Sequence, residues 1–342
     1  MKKYIAIAAF FVSMLTVIIG YVYIRPFISN NVKLDAEQKD VFIPSNSSFE
    51  QVVFILNNEN IIIDEIGFRR IAGLLRYNKD KVPAGKYTIN NGWSNRQLIT
   101  KLRSGNQDPS NIVINNIRQI SDLAGKASRN LEADSLAFLE YLLDPKVAEQ
   151  YGFTTENFLC MFVPNTYEMF WTATPEKFVK RMKREYDIFW TEERLAKIKS
   201  KNLDQKQAYI VASIVEKESN YTPERPTIAG VYLNRLDTGQ KLQADPTVVY
   251  AMGDFTIQRV LNVHLFYDSP YNTYLNTGLP PGPICMPSLS SLEAVLNADA
   301  HDYMFFCAKA DNSATHAFAV TYTEHLKNAA AFANWLNKQN IR

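Results

Sequence analysis

The segment Ala208-Tyr-Ile-Val-Ala-Ser-Ile-Val-Glu-Lys-Glu-Ser219 is apolar nearly all round until two carboxylates arrive at its C-terminal end. Such a pattern reads as a buried helix delivering an acid to an interior site, and glutamate is rarely buried without a partner or a purpose. Glu216 and Glu218 are two positions apart, about 200° around a helix of about 3.6 residues per turn, so they cannot both face one substrate. Counting back three, four and seven positions, Glu218 shares its face with Val215, Ile214 and Val211, whereas Glu216 lies near Ser213, Ala212 and Tyr209. Apolar surroundings disfavour the ionised carboxylate and raise its pKa, and a carboxyl kept protonated near neutral pH can act as a general acid. Glu218 is therefore the candidate catalyst. Two alternatives stay open at this point: both glutamates solvated at a frayed helix end, or paired with Lys217 or Arg225.

Further along lie Asn234-Arg235, Leu242-Gln-Ala-Asp-Pro-Thr-Val-Val-Tyr250, Ser269-Pro-Tyr-Asn-Thr-Tyr274 and the loop Gly278-Leu-Pro-Pro-Gly-Pro-Ile284. Amides, hydroxyls and tyrosine rings suit a sugar polymer, which offers hydroxyls for directional hydrogen bonds and flat apolar ring faces. Taken singly each motif could be a turn, Asp245-Pro246 above all. Other chemistries find little support. Cys160, Cys285 and Cys307 are widely spaced with no CxxC, and His264, His301, His316 and His325 show no HxxxH or HExxH spacing, so no metal site is indicated. There is no GxGxxG or P-loop, nothing points to a cofactor, and 37 basic against 35 acidic residues leave no electrostatic footprint for nucleic acid.

The 342 residues, 46% of them hydrophobic, suffice for one or two cored domains. Tyr4 to Ile24 carries no formal charge and matches the roughly 30 Å hydrocarbon core of a bilayer. A cleavable signal peptide is the competing reading, but Tyr21 to Ile24 makes a poor exit site. Lys2 and Lys3 against Arg25 put the rest of the chain outside the cytoplasm. Polar residues 26–37 read as a stalk. A strand at Val41 to Ile43 is followed by the capping box Ser48 to Gln51, and a second strand at Lys86 to Ile89 by the box Ser94 to Gln97. Two such units predict a small α+β module over 38–108, either a support or a glycan binder. The remainder, 109–342, reads as a larger, mainly helical domain. Helices are expected at Pro175 to Phe189, Glu192 to Lys201, Gln205 to Ser219, Pro226 to Asp237, Ser291 to Ala298 and Glu324 to Lys338, with Tyr303 to Ala308 and His316 to Val320 as a hairpin.

The combination Ile214-Val-Glu-Lys-Glu218, Gln243-Ala-Asp-Pro-Thr247, Tyr271-Asn-Thr-Tyr274, Gly278-Leu-Pro-Pro-Gly282 and His316-Ala-Phe318, with Phe162-Val-Pro-Asn-Thr-Tyr167, resembles the endolytic murein transglycosylase (YceG-like) family over essentially the whole chain. The resemblance implies an α+β protein: a transmembrane helix over 1–25, a LysM-like module and a catalytic domain on the periplasmic or extracytoplasmic side of the bacterial inner membrane. It implies cleavage, without water, of the β-1,4 bond from N-acetylmuramic acid to N-acetylglucosamine in nascent peptidoglycan strands, leaving 1,6-anhydro ends. Glycan-polymerising penicillin-binding proteins are implied partners. The family's acid/base falls on Glu218. Asn165 stands where the family has Asp, a departure that touches supporting details. Gln243, Asn272 and Tyr274 are the candidates for holding the ring and Ser219 and His316 for orienting Glu218; Asn234, Asp245, Thr247 and Tyr271 complete the expected substrate site. Two rival readings are a muramidase using Glu218 with Asp245, and a scaffold that binds glycan without cutting it.

Overall fold

A computed structural model describes residues 2–339 and comprises two compact units. Positions 1 and 340–342, the outer limits of the expected first and last domains, lie outside the described residues.

The first unit runs to Ile112 and takes in Asn130–Ala133 and Glu168–Thr174. It opens with α1 (Lys2–Ile19), a π-helical turn (Gly20–Ile24) and α2 (Arg25–Ile28). The helical stretch Lys3–Ile28, 26 residues, is long and apolar enough to cross a membrane, and side chains such as Phe10, Phe11 and Leu15 are exposed all round it. β1 (Gln38–Ile43), α3 (Phe49–Asn58), α4 (Glu65–Leu74), β2 (Gly85–Asn90), α5 (Asn95–Ser104) and β3 (Pro109–Ile114, as far as Ile112) follow. β1 and β2 pair antiparallel, Gln38 opposite Asn90 and Ile43 opposite Gly85. Strand alternation turns Val41, Ile43, Tyr87 and Ile89 inward, onto Val52, Leu56, Phe68, Ile71 and Leu98 of the helices. Both capping boxes form: Gln51 N donates to Ser48 Oγ at 3.3 Å and Ser48 N to Gln51 Oε1 at 2.7 Å, and Ser94 with Gln97 repeats the pattern. α5 stops on Gly105, whose φ of 67° only glycine adopts without strain.

The segment read as a stalk is partly docked on this module. Asn31 Nδ2 donates to Asn95 Oδ1 at 2.7 Å and to Asp64 O at 3.0 Å, its Oδ1 accepts from Asp64 N at 2.6 Å, and Val32 is buried. An asparagine whose amide is satisfied on both ends can be buried at little cost, which polar composition does not reveal.

The second unit holds Val113–Arg129, Asp134–Tyr167 and residues 175 onward. It contains α6 (Ile120–Ser128), α7 (Ser135–Leu143), α8 (Pro145–Gln150), β4 (Asn165–Phe170, its first half), α9 (Pro175–Phe189), α10 (Glu192–Lys199), α11 (Gln205–Glu218), α12 (Arg225–Asp237), α13 (Asp245–Met252), α14 (Leu289–Leu296), β5 (Phe305–Ala308), β6 (His316–Ala319) and α15 (Tyr322–Lys338). α11 is the central element, packed by α12, α13 and α14. Asp204 and Gln207 cap its start reciprocally. Val211, Ile214 and Val215 are wholly enclosed, each contributing about 1.5–3 kcal/mol by burial. β5 and β6 form the expected hairpin, Phe305 opposite Ala319, and α15 covers it through Tyr322 and His325 against Phe305. Expected helix bounds differ from these by a residue or two at most ends, the usual fraying. α13 is not among the expected helices: Asp245-Pro246, which taken singly could be a turn, opens a helix, where proline suits the first turn because its missing N–H has no partner there.

Candidate active site

α11 ends at Glu218 because Ser219 turns to extended backbone, φ −141° and ψ 132°. Arg225, at the start of α12, donates Nε to Ser219 O at 3.1 Å, placing a cation at the negative end of the helix. The two glutamates then diverge. Glu216 Oε2 accepts from Ser288 N (3.1 Å), Ser288 Oγ (2.5 Å), Ser291 Oγ (2.7 Å) and Arg225 Nη1 (3.0 Å). Burial alone would raise its pKa, but the Ser288 and Ser291 hydrogen bonds, with the Arg225 charge, outweigh it and hold the carboxyl below the usual range. Glu216 is thus an ionised anchor tying α11 and α12 to the N-terminus of α14.

Glu218 has one hydrogen-bond partner among the described residues, Tyr232 of α12, whose hydroxyl donates to Oε1 at 2.5 Å. The residue keeps some access from a cavity, but its carboxyl is enclosed deeply enough that burial, helped by the charge of Asp245, pushes its pKa up to about 7, against the Tyr232 hydrogen bond and the charge of Arg235. The carboxyl is therefore part protonated at neutral pH, able to give up a proton and take one back.

The cavity, about 370 Å³, is lined by Glu218, Asp245, Tyr250 and Ile284, by Arg118 and Lys217, and by Phe255 and the segment Ile257 to Val260. Asp245, exposed at the start of α13, accepts from the Tyr274 hydroxyl at 2.6 Å. The two motifs that carry this pair are locked together below it. Thr247 Oγ1 lies 2.8 Å from Thr273 Oγ1, Ala244 N donates to Thr273 Oγ1 at 3.0 Å, and Gln243 N donates to Thr273 O at 3.1 Å. Gln243 itself sits at φ 48° with its side chain exposed. The Tyr271 ring packs tilted against Tyr250, centroids 4.9 Å apart, and its hydroxyl lies against Gly282, where a Cβ would meet Glu156 O at 1.9 Å.

Of the residues expected at the site, Glu218, Asp245 and Tyr274 gather at one place, with Gln243 and Tyr271 on the loops that shape it. Five others turn elsewhere. Thr247 is fully buried as the clamp on Thr273. Asn272 is fully buried as well: its Nδ2 donates to Leu265 O and Tyr267 O and its Oδ1 accepts from Tyr274 N, so it shapes the loop and has no free group for a ligand. Asn234 Nδ2 donates to His301 O and Tyr303 O, holding the approach to β5. His316 binds Glu224 through Nδ1 (2.8 Å) and N (2.7 Å) rather than Glu218. Ser219 Oγ accepts from Tyr221 N at 3.1 Å. The orienting partner of Glu218 is Tyr232, which sequence reasoning passed over; the available signal was a tyrosine inside the apolar run Ile228 to Leu233, because a buried hydroxyl needs a partner. Arg235, noted only as the neighbour of Asn234, donates Nε to Met304 O (2.7 Å) and Nη1 to Leu242 O (2.5 Å), bracing the chain ahead of both β5 and α13.

The YceG-like family model matches residues 41–331. The endolytic murein transglycosylase of Bacillus subtilis (strain 168) is 30% identical over 305 residues, 84% of this chain and 83% of that one. That of Streptococcus pneumoniae (strain D39) is 27% identical, matching 92% of this chain, which spans 62% of the longer relative. A crystal structure of a yceG-like protein from Listeria monocytogenes aligns with a TM-score of 0.56 at 27% identity, covering 85% of this chain and 98% of that one. The chain belongs to the YceG-like family.

Proposed function

We propose that this protein is an endolytic murein transglycosylase: a lyase that cuts the bond from N-acetylmuramic acid to N-acetylglucosamine within peptidoglycan strands. The observation that carries the reading is a single carboxyl, Glu218, opening on a cavity with its pKa raised by burial to about 7, in a chain whose relatives bear that name. Glu218 acts first as acid, giving its proton to the glycosidic oxygen as the C1–O bond breaks. The carboxylate then takes the proton of the muramoyl C6 hydroxyl as O6 closes on C1, which restores the acid and leaves a 1,6-anhydro end. Nucleophile and electrophile belong to one sugar, so positioning replaces a second carboxylate and a bound water. Tyr232 holds the carboxyl; Asp245 with Tyr274, and Gln243 at the loop, bear on the ring.

The exposed apolar stretch Lys3–Ile28 supports a single-pass anchor in the cytoplasmic membrane, with the chain after it on the outer face. The 38–108 module, with its own core, fits a LysM-like glycan-binding role, and glycan-polymerising penicillin-binding proteins are the partners that would supply nascent strands. The test is end-group analysis by mass spectrometry after incubation with uncross-linked glycan. Anhydro-muramoyl ends are expected. Reducing muramoyl ends would make the protein a hydrolase, and binding without new ends a scaffold.

A further inference from the structure

Three cations face the cavity that contains Glu218: Arg118, Lys217 and Arg259. The carboxylates near them are already engaged. Glu216 is taken by Arg225, Glu218 by Tyr232, and Asp245 by Tyr274. Among the described residues none of the three cations has an ion-pair partner. Arg118 is held with its guanidinium 4.1 Å over the Phe255 ring, a stacking that fixes the plane and leaves its N–H donors free. Lys217 and Arg259 are exposed. Three positive charges that line one cavity with no ion-pair partner call for an anion that arrives with the substrate.

A glycan backbone of acetylated amino sugars is neutral; its anions lie on the peptide stems, attached to the muramoyl lactyl group. We propose that Arg118, Lys217 and Arg259 form an anion-binding wall that takes a carboxylate of the stem carried by a muramoyl residue at the scissile bond. The inference rests on the transglycosylase reading and adds to it a specificity: stem-bearing, negatively charged strands are cut in preference to neutral ones. A diphosphate at a lipid-linked strand end offers oxyanions of the same kind, but a cut inside the strand leaves that end several sugars from the wall.

The test compares two uncross-linked strand preparations of equal length, one with free stem carboxyls and one with those carboxyls converted to amides by carbodiimide and excess ammonium. The full-length protein in detergent is expected to release anhydro ends from the charged strands with a kcat/KM about tenfold higher, three partly exposed ion pairs giving that much together. The contrast should shrink as salt is raised. In the Arg118→Gln/Arg259→Gln double variant, shown to fold by its melting temperature, the ratio should fall towards one. Equal rates on both substrates with the wild-type protein, or an unchanged ratio in the variant, would overturn the wall. So would a rate that ignores amidation and drops when the lipid diphosphate end is removed by mild acid. Anhydro ends from neither preparation would overturn the transglycosylase reading, and the wall with it.

Discussion

Replacing Glu218 by glutamine should make the protein more stable in a way that depends on pH. Folding lifts the carboxyl's pKa from 4.5 to about 7. The folded chain therefore keeps this proton up to about pH 7, while the unfolded chain releases it near 4.5, so stability tied to the group is complete below 4.5 and lost as pH rises through 7. At about 1.36 kcal/mol per pH unit the whole difference is about 3 kcal/mol, a ceiling because the residue keeps some contact with the cavity. Glutamine does not titrate, and its Oε1 can still accept from the Tyr232 hydroxyl. Calorimetry on a soluble fragment starting after Ile28 should show wild type and Glu218→Gln melting together near about pH 4.5. At about pH 8.5 the variant should melt about 3–9 °C higher, taking about 1–3 kcal/mol and about 3 °C per kcal/mol. The same variant should lose nearly all release of anhydro ends at every pH. A stability gap that does not change with pH, or one that favours wild type in alkali, would mean that Glu218 is not a buried acid and would refute the reasoning.

Tyr232→Phe removes the hydrogen bond that favours ionised Glu218, so the alkaline limb of kcat/KM should move up by about one pH unit while the maximum rate falls; a limb that stays in place would show that the tyrosine does not act on the carboxyl. Glu216→Gln leaves Arg225, Ser288 and Ser291 without their charged acceptor and should cost about 2–4 kcal/mol of stability, read by denaturant unfolding, while the variant that remains folded still produces anhydro ends. Gly282→Ala drives a methyl into Glu156 O and the Tyr271 hydroxyl and should lower stability by about 1–3 kcal/mol. Thr247→Val breaks the contact with Thr273 beneath the site and should cost about 1–2 kcal/mol, with KM rising as the Tyr271 to Tyr274 loop loosens.

Much of the scaffold was legible because its signals are local. Ser48 with Gln51 and Ser94 with Gln97 announce helix starts three residues apart, and both boxes form; the 3.6-residue period of α9 to α12 and the short strands at 305–308 and 316–319 needed no distant partner to be seen. The choice of Glu218 over Glu216 followed from neighbours on the same helix. What escaped depends on contacts between segments far apart in the chain. Tyr232 meets Glu218 only because α12 packs beside α11, and Asn272 and Thr247 are polar residues whose burial depends on loops folding onto each other. His316 lies in a motif that suggested a role at the acid, yet the residue it meets, Glu224, is an ordinary-looking glutamate 92 positions away. Asp245-Pro246 left the start of α13 open, because such a dipeptide can begin a turn or a helix.

The spacing of Glu216 and Glu218 on α11 ties the protein's reactivity to its integrity. An insertion or deletion of one residue between the Asp204 cap and Glu216 would turn both side chains by about 100°. The anchor would lose its serines and the acid its tyrosine in the same step. Mutations that shift this helix should therefore produce unstable, inactive protein together, whereas a change confined to the Glu218 carboxyl should leave the protein folded and inactive.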